Sequence, residues 1–297
     1  MKKIILSYAI AMSAIFSMTS CQKDQNIKPD PQEIKFYASY NGETQTKATA
    51  VFTTGNKVTI LGYTAGATVT SATSVPGTPV EATGGASGLL TPSAALYLPK
   101  GSYDFYSVSL NNTTAPGLTF TSGMSTQLTN GIDYLWTKAA GIAEGGSASF
   151  IYNHKAVGME VNVSTGTGVS ALSVTAISFT PTTASTASKM SLADGSIGAA
   201  SAIGSLTPMS LSGTKGTYIM LPVGSVAVNV EITVNATIGG TTVTAKKYTA
   251  AIPSQAYTSG SYYTANFTVS STALQFTGAQ VQDWTNQTIS GVSLTEQ

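Results

Sequence analysis

The sequence predicts an all-β protein with two β-sandwich domains in tandem, and three observations support this prediction. Only 9% of the 297 residues are charged, and Gly, Ser, Thr and Ala are abundant, so the Lys-Glu chemistry of surface helices is missing. Short segments rich in β-branched and aromatic residues recur along the chain, separated by Gly, Pro or Asn. No long stretch shows the 3.6-residue period of a helix.

The first strand candidate, Ile34 to Tyr40, has the clearest pattern. Its apolar side chains fall on one face at a period of two, which is typical of a half-buried strand: Ile34, Phe36, Ala38 and Tyr40. Further candidates follow at the spacing of β-sandwich strands. They are Lys57 to Tyr63, Ala94 to Leu98, Tyr103 to Leu110, Ser149 to Tyr152, Val157 to Val163, Leu172 to Phe179, Thr217 to Leu221, Val226 to Val234, Thr242 to Ala250 and Tyr262 to Val269.

The segments between these strands are predicted to be loops and turns. Residues 64–88 and 180–216 are rich in small residues and are expected to be loops, with ragged strands inside them as the open alternative. Residues 129–138 are expected to hold one short turn. Gly239-Gly240 is typical of a hairpin turn. A glycine-rich break at Glu144-Gly145-Gly146 precedes strongly patterned sequence, so we place the boundary between the two domains near it.

The N-terminus resembles a bacterial lipoprotein signal peptide with its lipobox. Two lysines precede an apolar run over residues 4–16, and small residues at 17–20 lead directly to Cys21, the only cysteine. In such proteins a peptidase cuts before the cysteine, which then carries acyl chains such as palmitate. Two or more chains anchor stably, because each buried methylene contributes roughly 0.8 kcal/mol. An ordinary secreted protein or a transmembrane anchor is the alternative, although the apolar run is short for a bilayer.

Several classes of chemistry are excluded or unsupported by the residues present. The 14 basic residues are all lysine, and the guanidinium fork that reads phosphates and guanine edges is missing, so we expect no nucleic-acid partner. His154 is the only histidine, and we expect it to close a strand with a hydrogen bond. We predict no metal site, no cofactor and no enzymatic activity, since no carboxylate pair stands out among Asp104, Asp133, Glu144, Glu160, Asp194 and Glu231.

The ordered set of motifs resembles the fimbrillin family, the major pilins of type V pili in Bacteroidia. Besides the leader, the resemblance rests on motifs in this order: Phe36-Tyr37-Ala38-Ser39, Thr46-Lys47-Ala48, Gly55-Asn56-Lys57-Val58-Thr59-Ile60, Asn153-His154-Lys155-Ala156 and Val281 to Trp284. It spans most of the chain. It implies two transthyretin-like β-sandwich domains. The expected layout is a signal peptide over 1–20, a propeptide with tether and first strand over 21–47, and domains over 48–147 and 148–297.

The resemblance also implies how the protein functions. A surface protease would cut at Lys47-Ala48 and remove the lipid with the first strand, which uncovers a groove between strands. The C-terminal segment of another copy, about residues 285–297, would fill that groove and form a head-to-tail filament. The family's cut usually follows arginine, which this chain lacks, so the protease is open. An ordinary exposed lysine at position 47 is the alternative.

The tail is predicted to contain the donor strand, with Trp284 making the last core contact. Its apolar residues do not keep one face: Ile289 points one way and Val292 with Leu294 the other, unless Gly291 carries a bulge. The expected partners are other copies, minor pilus subunits, the maturation protease and, for the precursor, outer-membrane lipid. The expected locations are the outer membrane for the precursor and an extracellular fimbrium for the mature form.

Two other functions stay open at this point. The chain could be an anchor or tip subunit of the same pilus. It could also be a monomeric surface lipoprotein that binds glycans through exposed aromatic side chains such as Tyr262, Tyr263 or Trp136.

Overall fold

A computed structural model describes residues 30–41, 50–271 and 274–284, and these residues confirm the all-β prediction. The chain divides into two compact units, Met1–Asp30 and Pro31–Gln297, and the description below concerns the second. Its described part contains one short 3-10 helix, Ala86–Gly88, and is otherwise built from strands and loops. The described residues contain no helix that is long and apolar enough to cross a membrane.

The N-terminal half is one sheet that closes on itself, with two small ladders beside it. The strands in chain order are β1 (Gln32–Glu33), β2 (Lys35–Tyr40), β3 (Ala50–Val51), β4 (Lys57–Thr64), β5 (Val80–Gly84), β6 (Leu89–Pro92), β7 (Tyr97–Leu98), β8 (Ser102–Ser109), β9 (Phe120–Thr121), β10 (Met124–Ser125), β11 (Leu135–Ala143) and β12 (Ser147–His154). The order within the large sheet is β12-β11-β8-β4-β5-β6-β2-β3. Because β2 also pairs with β12, seven strands form a closed ring and β3 lies outside it.

The closed sheet surrounds a core of alternating inward side chains. The largest of its fully buried members are Phe36, Phe52, Phe105, Phe150 and Tyr152. Phe36 lies on β2, Phe105 on β8, and Phe150 and Tyr152 on β12, while Phe52 directly follows β3. Their rings contact one another, and Phe52 stacks on Tyr152 at 5.0 Å between centroids. The aromatic cluster therefore depends on strands from both ends of this half.

The C-terminal half is a two-sheet structure. Its strands are β13 (Val157–Thr165), β14 (Val169–Phe179), β15 (Thr182–Thr183), β16 (Ala202–Ile203), β17 (Thr207–Pro208), β18 (Ser210–Ser212), β19 (Lys215–Met220), β20 (Val223–Ile238), β21 (Thr241–Tyr257), β22 (Ser261–Val269) and β23 (Leu274–Asp283). One sheet has the order β18-β19-β13-β22-β23 and the other β17-β14-β20-β21. A single core draws on both, for example Met159, Ile177, Ile232 and Phe267.

Most predicted strands are found, and the long hairpin is joined as expected. Gly239 and Gly240 have φ values of +56° and +82°, the left-handed pair that a two-residue hairpin turn between β20 and β21 requires. The strand candidates around this turn were too short, because β20 and β21 run to 16 and 17 residues. The expected two-domain transthyretin-like arrangement stays a prediction.

Three element predictions were wrong or incomplete. Residues 129–138 do not form only a short turn, because β11 occupies Leu135–Ala143. Its small residues and a bulge between Ala139 and Ile142 hide the alternation. The predicted loop 64–88 contains β5, whose alternately buried residues are small. The prediction also omitted β23 as a strand, although it pairs with β22 over nearly its whole length.

The closed sheet continues past the predicted domain boundary at residues 147–148. β12 begins at Ser147, and it pairs with β11 and β2 of the closed sheet. Ala148, Phe150 and Tyr152 lie in the N-terminal core. The next strand, β13, starts at Val157 and pairs only in the C-terminal sheet system. We therefore propose a boundary at residues 155–156 in place of 147–148.

Candidate functional site

β2, which contains most of the predicted first strand, is hydrogen-bonded along both of its edges. Along one edge it runs parallel to β12, from the pair Lys35–Ser147 to the pair Tyr40–Tyr152. Along the other edge it pairs antiparallel with β6 and then with β3. The N–H of Asn41 donates to the Tyr152 carbonyl at 3.0 Å, which extends the parallel ladder by one residue. β2 is therefore an interior strand, although it comes first in the closed sheet.

The side chains of this segment enter the core in the predicted alternation. Ile34, Phe36 and Ala38 are 2%, 0% and 5% exposed. The Phe36 ring meets Phe105 edge-on at 5.2 Å and stacks on Phe150 at 5.9 Å. Aromatic pairs of this kind contribute about 0.5–1.5 kcal/mol beyond the burial of their area. Phe36 is thus the centre of the contact between β2 and the rest of the core.

Tyr40 differs from the other three residues of the predicted apolar face. It is only half-buried, with its ring tilted against Phe52 at 5.3 Å. Its hydroxyl donates to Asn111 Oδ1 at 2.6 Å and lies 3.1 Å from the Thr53 hydroxyl. Tyr40 is therefore an amphipathic end residue, since a buried phenol needs a hydrogen-bond partner and finds it at the rim of the sheet.

The backbone of β2 is approached closely by the short 3-10 helix. Gly88 has φ +76°, and a Cβ at this position would press against the carbonyl oxygen of Ala38. Only glycine combines this left-handed conformation with so close an approach. The groove that holds β2 is thus shaped to its backbone as well as to its side chains.

His154 and Trp284 lie together at the link between the halves. His154 ends β12 and its Nδ1–H donates to Asp133 Oδ1 at 2.7 Å, which confirms the expected strand-closing hydrogen bond. Trp284 follows β23, packs against the C-terminal core and stacks on the His154 ring at 4.4 Å. The predicted core contact of Trp284 is confirmed.

A buried carboxylate on the closed sheet holds one loop and the bulge of β11. Asp104 accepts hydrogen bonds from the N–H groups of Gly66 at 3.2 Å and Gly141 at 2.9 Å, and pairs with Lys138 Nζ at 2.9 Å. Burial acts to raise the pKa of Asp104, but the hydrogen bonds from Lys138, Gly141 and Gly66 outweigh it, so the pKa lies below its usual 3.8. The Asp104 carboxylate thus joins β8 to Gly66 and to β11.

The other carboxylates considered in the sequence lie apart from one another in structural contacts. Glu160 accepts from Tyr262 and from Lys215, Glu231 pairs with Lys247, and Asp194 accepts from Ser196 in a turn. Burial first, and then the neighbouring charge of Glu160, raise the pKa of the Tyr262 hydroxyl. In the described ranges, no group of three or more His, Cys, Asp or Glu side chains is placed to hold a metal ion.

The three aromatic residues considered for glycan binding are engaged within the protein. Tyr263 is buried, and its hydroxyl donates to the Ala256 carbonyl at 2.9 Å. Trp136 donates from Nε1 to the Leu192 carbonyl, and Lys155 Nζ lies 5.0 Å from its ring centroid. Tyr262 donates to Glu160. Tyr263 was wrongly expected to be exposed, because β22 turns it inward toward Tyr257.

Several predicted site residues lie outside the described residues. These are the lipidation site Cys21, the processing site Lys47 and Ala48, and the donor residues Ile289, Val292 and Leu294. Asn111, which was not predicted as a site residue, joins Tyr40 to Asp133 through 2.6 Å and 2.8 Å hydrogen bonds. Asn111-Asn112 closely follows β8 and is typical of a turn, but no sequence pattern predicts that Asn111 binds Tyr40 and Asp133.

Comparisons with known proteins agree with this geometry. A sequence profile described as fimbrillin-like matches residues 44–284, and a search of curated proteins found no match. A putative cell adhesion protein from Bacteroides uniformis superimposes with a TM-score of 0.61 at 16% identity, over 86% of this chain and 99% of that one. One from Bacteroides ovatus gives a TM-score of 0.58 at 18% identity, over 87% and 99%.

A third structure has a more specific description. The tip fimbrial protein Mfa3 from Porphyromonas gingivalis, with a C-terminal truncation, superimposes with a TM-score of 0.52 at 10% identity, over 86% of this chain and 100% of that one. Identities this low show a shared fold alone. The profile match, however, covers most of the chain. The chain therefore belongs to the fimbrillin-like family.

Proposed function

We propose that this chain is a structural pilus subunit that polymerises by strand exchange. The observation that carries the proposal is the position of β2. It is an interior strand with Phe36 and Ala38 in the core, and the buried Ile34 directly precedes it. Yet it precedes Lys47 in the sequence and lies before residue 44, where the family profile begins to match. A cut after Lys47 would separate an essential strand from the rest of the chain.

An empty groove would be costly for the cut protein. Burial of Ile34 and Phe36 contributes about 1.5–3 kcal/mol each. The ladder partners on β12, β6 and β3 would also lose their backbone hydrogen bonds at both edges, and unpaired strand edges readily accept another strand. A strand from a second molecule would restore both the apolar burial and the backbone hydrogen bonds.

The donor in this proposal is the C-terminal segment of another copy. Residues 287–294 follow Trp284, which holds the end of β23 by ring contacts with His154 and Tyr262. With a bulge at Gly291, Ile289, Val292 and Leu294 would supply the apolar side chains that Ile34, Phe36 and Ala38 supply in the uncut chain. Since donor and acceptor lie on different parts of the molecule, the contact does not close and a filament results.

The proposed life cycle begins with a lipidated precursor. Cys21 would carry the acyl chains, the precursor would reside at the outer membrane, and cleavage at Lys47-Ala48 would release the subunit into an extracellular fimbrium with other copies and minor subunits. A tip or anchor role is the second candidate, since one structural relative is described as a tip fimbrial protein. The C-terminal segment 285–297 favours a stalk subunit.

Cleavage and assembly can be tested on the full chain with Cys21→Ser to prevent lipidation. A lysine-specific protease should yield a product starting at Ala48 and, from it, ladders that resist detergent. Lys47→Gln should abolish both, whereas Lys100→Gln, a change at an exposed loop lysine, should abolish neither. Deletion of residues 287–297 should permit cleavage but prevent ladders. Ladders formed by the deleted chain would refute the tail as donor.

A glycan-binding monomer is the weaker candidate. Tyr263 is buried, and Trp136 and Tyr262 donate hydrogen bonds within the protein, so they do not offer a continuous free platform. Binding of surface glycans by uncut chain carrying Lys47→Gln would favour it over the pilus subunit.

A further inference from the structure

A chain of polar contacts runs from β2 to the last described residue. Tyr40 binds Asn111, Asn111 binds Asp133, Asp133 binds His154, and His154 stacks on Trp284. We infer that this Asn111 network couples the first strand to the C-terminal end: while Tyr40 is in place, the network holds Trp284 docked. These side-chain contacts are additional to the apolar contacts of the two cores and to the backbone hydrogen bonds of the sheets.

Asn111 is the branch point, and its orientation is determined by its partners. Its Oδ1 accepts from the Tyr40 hydroxyl at 2.6 Å and from Asn56 Nδ2 at 3.0 Å, while its Nδ2 donates to Asp133 Oδ2 at 2.8 Å. A flipped amide would lose all three bonds, because it would face donors with a donor and the carboxylate with an oxygen. Tyr40 therefore helps to hold the amide in the orientation that Asp133 needs.

The backbone at Asn111 supports a specialised role. Its φ is +51°, a left-handed conformation that few residues other than glycine adopt, asparagine being the best tolerated. Its N–H donates to Ser109 Oγ at 3.1 Å. The position thus combines a backbone requirement with a side chain that has both a donor and an acceptor, and asparagine meets both.

Asp133 transmits the orientation to the imidazole. Its second oxygen, Oδ1, accepts from His154 Nδ1 at 2.7 Å, and the two side chains are only 12% and 18% exposed. A carboxylate that binds Nδ1–H sets both the tautomer and the plane of the ring. The imidazole lies within 1° of parallel to the Trp284 ring at 4.4 Å, so a rotation of His154 would remove this stacking.

Besides stacking on His154, Trp284 packs against the C-terminal core. Its N–H donates to the Gly260 carbonyl at 2.7 Å, and Tyr262 meets its ring edge-on at 5.9 Å. The residues after it form the donor segment in the proposed function, and the consequence of the coupling rests on that proposal. Loss of β2 takes Tyr40 away, loosens Asn111 and Asp133, and weakens the stacking that holds the base of the donor segment. Cleavage would thus prepare both ends of the subunit.

The coupling itself can be tested in the uncut chain. The full chain with Cys21→Ser, made without a polyhistidine tag, has His154 as its single histidine, so its ring Cε1–H gives one assignable NMR signal that the Trp284 ring current shifts. Tyr40→Phe removes only the hydroxyl, and Tyr37→Phe removes the hydroxyl of an exposed tyrosine in the same strand. Asn111→Gly deletes the branch point and tolerates the left-handed backbone. Trp284→Leu gives the unstacked reference.

Tyr40→Phe should move the His154 signal part of the way to the Trp284→Leu value, and Asn111→Gly further. Hydrogen exchange at the Trp284 amide should accelerate about two- to tenfold, the range of one neutral hydrogen bond, while Tyr37→Phe changes neither. An unchanged signal and exchange rate in Tyr40→Phe would overturn the coupling, even if Asn111→Gly fails to fold. Coupling without ladders from the cut chain would refute the proposed function alone, whereas ladders without coupling would refute this inference alone.

Discussion

Both halves of the molecule pair an early strand in parallel with a late one, but only in the N-terminal half does the early strand precede Lys47, the proposed cleavage site. In the N-terminal half β2 pairs in parallel with β12, and in the C-terminal half β13 pairs in parallel with β22. In each case an early strand meets a late one. β13 and β22 both lie well inside the chain, whereas β2 precedes Lys47. In the proposed function, the same kind of parallel pairing is therefore permanent in one half and exchangeable in the other.

The strand that we propose to be exchanged is integrated as fully as a permanent one. Phe36 in β2 and Phe267 in β22 are both 0% exposed, and β2 is paired along both edges. A loosely attached edge strand could leave without creating a need for replacement. Because β2 closes the ring and fills its core, its loss would create an acceptor site that is both apolar and rich in unpaired backbone groups.

The largest expected effect comes from truncating the two phenylalanines. Phe36→Ala and Phe267→Ala should each lower the free energy of unfolding of the uncut chain by about 3–5 kcal/mol, because each empties a fully buried site. Tyr37→Ala, at an exposed neighbour of Phe36, should cost less than about 1 kcal/mol. Urea unfolding measures all three.

The same variants sharpen the comparison after cleavage at Lys47. Once the first strand has been removed, Phe36→Ala should match the cut parent chain, whereas Phe267→Ala should remain destabilised. A persistent difference between Phe36→Ala and its parent after cleavage would mean that β2 does not leave.

A smaller loss of stability is expected at Gly88, which lies close to the backbone of β2. Gly88→Ala should lower the free energy of unfolding by more than about 2 kcal/mol, since it combines a left-handed φ with a clash against the Ala38 carbonyl. Gly66 has the same φ of +76° and no atom within 4 Å of an added Cβ. Gly66→Ala should therefore cost only about 1 kcal/mol, and thermal unfolding of both variants isolates the cost of the close approach. Equal losses would show that Gly88 matters only for its backbone conformation.

The smallest effect distinguishes the buried carboxylate of the N-terminal half from an exposed ion pair of the C-terminal half. Asp104→Asn should cost about 1–3 kcal/mol at pH 7, because charge-assisted hydrogen bonds from Lys138 and two backbone N–H groups weaken. Glu231→Gln should cost about 0–1 kcal/mol, since Lys247 opposite it is 65% exposed.

The pH dependence of Asp104→Asn follows from the direction of the pKa shift. The folded-state pKa of Asp104 lies below 3.8, so its ionised form stabilises the fold above the unfolded-state pKa. That contribution is lost as the pH falls from about 4 through the lower folded-state value. Urea unfolding between pH 7 and pH 3 should thus show the parent chain converging on Asp104→Asn at the acid end. A constant gap between the two chains would contradict the lowered pKa.

Local sequence patterns predicted some of the strands and buried residues but not others. Ile34, Phe36 and Ala38 stood out because a period of two in a strand places side chains on one face, and Trp284 stood out as an aromatic residue closing the patterned sequence. β11 did not, since Ala139 and Gly141 carry little strand preference and a bulge breaks the alternation. Tyr40 followed the apolar period but is half-buried, because the sheet rim at that point offers Asn111 and Thr53.

Local periodicity and turn chemistry encode the all-β class, most of the strands and the buried face of the segment Ile34 to Tyr40, so these features could be predicted from the sequence. The folded chain was needed to show that β2 lies between β12 and β6, that β12 belongs to the N-terminal core, and that Asn111 joins Tyr40 to Asp133. These pairings connect residues from 22 to more than 100 positions apart. Strand registers and polar contacts of that kind depend on which edges meet after the core has formed, and no local pattern specifies them.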